Sequence, residues 1–209
     1  MPHIFIQTAT GRAVDLLDPR ADMIDIEGDI APALARIPRF NGHARGANGH
    51  AYSVAQHCCH GAELLREASP KIALAFLLHD AHEAYLGDLT RPAMEAIDLV
   101  GGRPSGARTA LNRIKSWLDA AIFAAAGIDA QTARGRLVRD MDEAMLEFER
   151  RTFLGRSDIA WQANGGIPAP VDFTGAWPAD EAEHHWMGLY RNLQLEIDVL
   201  TQSYLRRPS

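Results

Sequence analysis

The sequence predicts an all-α protein, a bundle of about six helices carrying one small β-hairpin at its N-terminus. Apolar residues recur at helical spacing from Ile30 onward. Alternation of the strand type is confined to the residues before Leu16. Gly- and Pro-rich stretches such as Ser69-Pro70, Gly101 to Gly106 and Gly155 to Pro178 separate the periodic segments. Helices packed on helices is then the expected architecture. A chain of 209 residues lies within the range that one core can serve, so a single domain over 1–209 is expected, with no internal repeat.

The run from Ile4 to Leu16 places two short apolar segments around Thr10-Gly11, the signature of a hairpin. From Asp29, residues Ile30, Leu34 and Ile37 have helical spacing, Pro32 suits the first turn, and Pro38 ends the segment. A loop rich in Gly, Asn and His follows from Asn41 to His50. Val54, His57, Cys58, Gly61, Leu64 and Leu65 predict a helix from about Ser53 to Ala68, stopped by Ser69-Pro70. Lys71 to Leu86 reads as one further helix, apolar on all sides in its first half and therefore buried, ending at Gly87. After the loop Gly101 to Gly106, long helices are expected over Ala107–Ala126 and Asp129–Phe153. Gly, Pro and Trp between Gly155 and Pro178 predict an irregular stretch before a last helix over Ala179–Leu205.

Composition narrows the function. Hydrophobic residues make up 47% and charged residues 23%, as in ordinary globular proteins. A net charge of -6 argues against non-specific capture of duplex nucleic acid, which needs a basic face to displace counterions, but leaves room for small phosphorylated ligands. Apolar stretches such as Ile72–Leu78 fall short of a membrane span and no signal segment opens the chain, so a cytoplasmic location without membrane contact is expected. The only cysteines, Cys58 and Cys59, are adjacent and poorly placed for a mutual disulfide, so both are expected as reduced thiols.

Chemistry concentrates in Leu77-Leu-His-Asp-Ala-His-Glu, where His79, Asp80, His82 and Glu83 follow a strongly hydrophobic run. An imidazole and a carboxylate adjacent in sequence both reach one cation if they sit at a helix end or a widened turn. Taken alone, the pair reads first as a solvated helix end. His57, on the preceding apolar helix, stands where an inward metal ligand belongs, as does a core histidine bonded to a backbone carbonyl. His60 reads as a surface or supporting group. Asp142 sits beside the apolar stripe formed by Val138, Met141, Met145 and Phe148, as ligand or as one more charge of an amphipathic helix; Asp140 is better placed for solvent. Two imidazoles and two carboxylates suit a divalent ion such as Mn, Co, Zn, Ni or Fe, with Mg also in range. Such an ion polarises a phosphoryl oxygen and acidifies water, and Glu83 is then available to carry the proton.

His57, then His79-Asp80, then a distant Asp142 resembles the signature of the HD-domain phosphohydrolases. Tyr52-Ser-Val-Ala-Gln-His, Leu78-His-Asp-Ala-His-Glu-Ala-Tyr-Leu-Gly-Asp-Leu-Thr-Arg-Pro and Val138-Arg-Asp-Met-Asp further resemble the three blocks of the 5'-deoxynucleotidase-like branch, which includes phage enzymes that dephosphorylate dATP. The similarity spans about Ile4 to Phe153, with the motifs inside 30–153. It implies an HD-domain helical bundle in which His57, His79, Asp80 and Asp142 hold the metal and Glu83 is the acid/base. It also implies that Asp88 contacts the sugar and Arg39 anchors the substrate phosphate. Asp142 is preferred over Asp140 because Glu149 follows it at the family's interval of seven residues.

Three departures stand out: Gln56 where a glutamate is common, His82 where a small residue is common, and the added loop near Gly101. The implied activity is metal-dependent hydrolysis of deoxynucleotides, as mono- or triphosphates, by a homo-oligomer. The rival expectations are hydrolysis of a signalling nucleotide and a non-catalytic nucleotide-binding module. Trp161, Trp177 and Trp186 are expected in core or interface rather than stacked on a base.

Overall fold

The computed structural model describes residues 4–102, 106–159 and 175–206. It is mostly helical, with one two-stranded antiparallel sheet, β1 (Phe5–Gln7) and β2 (Ala13–Asp15), paired with Ile6 opposite Val14. Gly11 supplies the positive φ of 85° that the connecting turn requires. Thr10 then pins the hairpin to the body, donating from its backbone N and its Oγ1 to the buried carboxylate of Asp29 at 2.9 and 2.8 Å.

A π-helical turn, Ile26–Ile30, runs into α1 (Ala31–Arg36), which Ile37 leaves in an extended conformation before Pro38. Backbone hydrogen bonds then stitch this exit to the start of the next helix: Arg39 N to Tyr52 O at 2.8 Å, Val54 N to Ile37 O at 3.0 Å. Ser53 caps α2 (Val54–Arg66) by accepting from Gln56 N. Pro70 opens α3 (Pro70–Leu77), which packs along α2. The close approach is permitted by Gly61, where an added Cβ would lie 2.1 Å from the Phe76 ring. Ala73 through Leu78 are buried, as their wholly apolar sequence requires.

The expected single helix over Lys71–Leu86 is in fact two. After α3 the chain takes tight i→i−3 turns, with His79 N bonded to Phe76 O, Ala81 N to Leu78 O and Glu83 N to Asp80 O, before the short α4 (Glu83–Leu86). The periodicity continues through this break, which is why the sequence conceals it. Next comes α5 (Arg91–Val100), which buries none of its residues and was left unassigned by the sequence reading. Its signals were Thr90 ahead of Arg91-Pro92 and Gly101 behind.

Helix α6 (Ala107–Ala125) matches its expected span. The helix expected over Asp129–Phe153 is divided into α7 (Ala130–Ala133) and α8 (Arg136–Phe153), because Gly135 adopts an extended conformation and restarts the helix. The last helix, α9 (Ala179–Leu205), packs against α1, α2 and α3. Trp186, Leu193, Phe76, Leu34, Ile122 and Met145 are fully buried in one shared core. No helix among the described residues is long and apolar enough to cross a membrane. Most of the irregular stretch expected between Gly155 and Pro178, with Trp161, lies outside the described residues.

Candidate metal centre

Four side chains from three elements converge on one point: α2 brings His57, the turn after α3 brings His79 and Asp80, and α8 brings Asp142. Each offers one donor atom, and the four donors lie within 4.8 Å of one another. The tight turn after α3 is what lets two sequence neighbours reach the same place. An uninterrupted α-helix would separate them by about 100° around its axis.

The orientation of the imidazoles is fixed from behind. His57 is fully buried and its Nδ1 donates to Glu149 Oε1 at 2.6 Å. His79 Nδ1 donates to the carbonyl of Phe76 at 2.6 Å. Both Nε2 atoms are therefore turned inward, 3.4 Å apart. His57 Nε2 lies 3.4 Å from Asp142 Oδ1, and His79 Nε2 lies 3.2 Å from Asp80 Oδ2. Imidazoles whose outer nitrogen is held by a carboxylate or a backbone carbonyl, with the other nitrogen presented to a common centre, are the usual support of a metal site.

Glu149, on α8, is the hub of that support. Wholly buried, it accepts from His57, from Tyr52 OH at 2.9 Å and from Arg39 Nε at 3.0 Å. Burial alone would raise its carboxyl, but Arg39 and His57 outweigh burial and hold it below the usual range. Arg39 reaches in the other direction too, its NH1 3.5 Å from Asp80 Oδ2. Its loop is held in an unusual conformation, with Phe40 and Asn41 both at left-handed φ (53° and 52°) and the guanidinium over the Phe40 ring.

The charge pattern suits a cation. With both imidazoles neutral, the carboxylates of Asp80, Asp142 and Glu149 against the Arg39 guanidinium leave two negative charges, which one divalent ion neutralises. Burial opposes ionisation of every group here, yet the carboxylates of Asp80 and Asp142 are driven down by the histidines and His79 is driven well up by Asp80 and Asp142. Protons compete for the place of a metal. Oxygen and imidazole donors of this mixture fit borderline divalent ions. Cys58, beside the cluster, is buried and its thiol is pushed up to about 11 by that burial; it is not among the four donors.

Beside the cluster stand the other predicted residues. Glu83 opens α4, is 5% exposed and has a buried Oε2 without a hydrogen-bond partner among the described residues. Burial, then Asp80 and Asp88, push its carboxyl well up. Asp88 follows Gly87, whose φ of 76° turns the chain out of α4. Asp88 is part-buried, its carboxyl raised by that burial, and it senses the charges of Arg39, Asp80 and His57. Asp140 lies apart, exposed and paired with Arg136 at 3.1 Å.

His60 is buried against Trp177 and bonded to Gln56, and stands outside the donor group. Gln56 also accepts from Trp177 N and donates to Gly175 O, tying α2 to the segment before α9. Trp186 is core and Trp177 is packed between His60 and His185. Sequence reasoning did not find the pair formed by His82 Nδ1 and Asp119 Oδ1 at 2.9 Å, because Asp119 comes from α6, thirty-seven residues away. Nor did it see Arg39 and Tyr52 as partners of Glu149.

No family model matches the chain. The uncharacterized protein YfdR of Escherichia coli strain K12 is 33% identical over 170 residues, covering 81% of this chain and 83% of YfdR. An uncharacterized protein of Rhodobacter capsulatus is 45% identical over 101 residues, 46% of this chain; the chain matches 50% of that relative's length.

Proposed function

The chain belongs to the family of Escherichia coli YfdR, and we propose that it is a metal-dependent phosphohydrolase of the HD-domain type acting on deoxynucleotides. The observation that carries the reading is the joint placement of two inward-facing, back-braced imidazoles and two carboxylates beside a buried Glu83. His57, His79, Asp80 and Asp142 would hold the ion. When bound, a divalent ion supplies Lewis acidity toward a phosphoryl oxygen and lowers the pKa of water.

The protein's own groups do the rest. Glu149 keeps His57 in the tautomer that presents Nε2, and Arg39 offsets the negative charge of Asp80 and Glu149. A dianionic phosphate is thus not met by carboxylates alone. Glu83, held in a setting that favours its protonated form, delivers a proton to the leaving oxygen or accepts one from water. Asp88, at the outlet of the turn behind Gly87, hydrogen-bonds the sugar and crowds a 2'-hydroxyl, giving the preference for deoxynucleotides. The distance between ligands and Glu83 is short enough for this division of labour, since Asp80 and Glu83 donor atoms lie within 4.8 Å.

The test is chromatographic product analysis on metal-stripped protein resupplied with Mn, Co, Zn or Mg, across deoxy- and ribonucleoside mono- and triphosphates. Deoxynucleoside and phosphate from deoxy substrates, lost in Asp80→Ala and Glu83→Ala, are expected. Turnover of signalling nucleotides alone would replace the substrate class, and tight nucleotide binding without products would replace the enzyme by a binding module.

A further inference from the structure

We propose a second cation site formed by Asp80, His82 and Glu83, with Asp80 shared between it and the four-ligand cluster. One ring nitrogen of His82, one oxygen of Asp80 and one oxygen of Glu83 lie within 4.8 Å of one another. The identity of the nitrogen follows from hydrogen bonding. His82 Nδ1 donates to Asp119 Oδ1 at 2.9 Å, which leaves Nε2 as the ring nitrogen available to a cation. That Nε2 is buried and has no hydrogen-bond partner among the described residues, although His82 is only 6% exposed. Glu83 presents a second such atom, Oε2.

Two buried polar atoms on adjacent residues, with no hydrogen-bond partner among the described residues, are costly to leave unsatisfied, and a cation between them would satisfy both. Asp119 behind His82 repeats the device that Glu149 provides behind His57: a carboxylate on the outer nitrogen that orients the ring and raises its basicity. The tight turn between α3 and α4 accounts for the geometry, since it gathers residues 79, 80, 82 and 83 onto one side. Asp80 belongs to both groups, so its carboxylate would serve both ions, as in two-metal sites. Glu83 would enter this site as the carboxylate, so with the ion bound it accepts a proton rather than delivers one. The site takes a divalent ion that accepts two oxygens and one nitrogen, with Mn the best probe.

The experiment is metal counting on the full chain, stripped and reloaded with Mn, by native mass spectrometry, alongside electron paramagnetic resonance. Two ions per chain with an exchange-coupled spectrum are expected. His82→Gln should bind one ion and give the six-line signal of isolated Mn, and Asp119→Asn should weaken the second ion roughly 10- to 100-fold. Circular dichroism confirms that each variant is folded, and should His82→Gln fail to fold, Asp119→Asn carries the comparison. One ion per chain at saturation in the wild type, or two ions without magnetic coupling, overturns the shared site. Neither readout needs turnover: a chain that binds a coupled pair but hydrolyses no nucleotide keeps this site and loses the function proposed above.

Discussion

Replacing Glu149 by Gln removes one charge while preserving volume, and the structure dictates a large effect. Glu149 is wholly buried and receives three donors, from His57, Tyr52 and Arg39. The amide of Gln has one acceptor oxygen and brings a donor of its own, so at least one of these groups faces another donor. Arg39, itself 8% exposed, keeps Asp80 at 3.5 Å as its remaining ion-pair partner among the described residues. Breaking a buried charge pair by removing one partner costs about 3–5 kcal/mol. For a chain of this size that corresponds to a fall in Tm of roughly 6–20 °C. His57 also loses the acceptor that fixes its tautomer, which should weaken metal binding about 10- to 100-fold. Urea unfolding gives the first quantity and calorimetric titration with Mn the second. Tyr52→Phe is the internal control, because it removes one hydrogen bond to a charged acceptor and should cost about 1.5–3 kcal/mol. A Glu149→Gln protein within 1 kcal/mol of the wild type, with unchanged metal affinity, would refute the hub.

Gly61→Ala should destabilise the protein although alanine is the better helix former by about 1 kcal/mol, because its Cβ would meet the Phe76 ring at 2.1 Å. Overpacking of this kind costs about 1–3 kcal/mol, and a rise in urea midpoint would contradict the close packing of α2 on α3. Burial depresses His60 to about 3, against about 6.5 in an unfolded chain. As pH falls from 6.5 toward 3 the unfolded state binds a proton that the native state refuses, so stability declines with a slope approaching about 1.4 kcal/mol per pH unit, and above 6.5 the contribution vanishes. Melting curves between pH 4 and 6 should flatten in His60→Gln; parallel curves would count against this burial. Divalent metal at a hundred times its Kd should add about 2.7 kcal/mol to stability, a gain seen as a thermal shift and largely lost in Asp142→Asn.

The sequence carried the helical class because its apolar periodicity is strong wherever a helix faces the core, as in α2, α6 and α9. It concealed the break after α3, since His79-Asp80-Ala81-His82 contains no helix-stopping residue and Glu83 resumes the same periodicity. Helix α5 does carry a stripe, with Ala93, Ala96, Ile97 and Val100 at helical spacing, although it buries none of them; the sequence reading passed over it. In the site, the residues gathered around the cluster were recognisable by type and motif, but their supports were not. Glu149 was visible only as a spacing from Asp142, and nothing local reveals that Tyr52, Arg39 and His57 meet on it from positions 97, 110 and 92 residues away. The pairing of Asp119 with His82 is of the same kind: a contact made by packing α6 against the turn, invisible to any pattern along the chain.

The most direct measurement of the central claim is phosphate release from a deoxynucleoside monophosphate while Mn is titrated back into metal-stripped protein, in the wild type and in Asp80→Ala. The account predicts release that is absent without metal, rises with occupancy to saturation, and never appears in Asp80→Ala. A folded, metal-loaded wild-type protein that releases no phosphate from any deoxynucleotide, or one that turns over equally well when stripped, would contradict it.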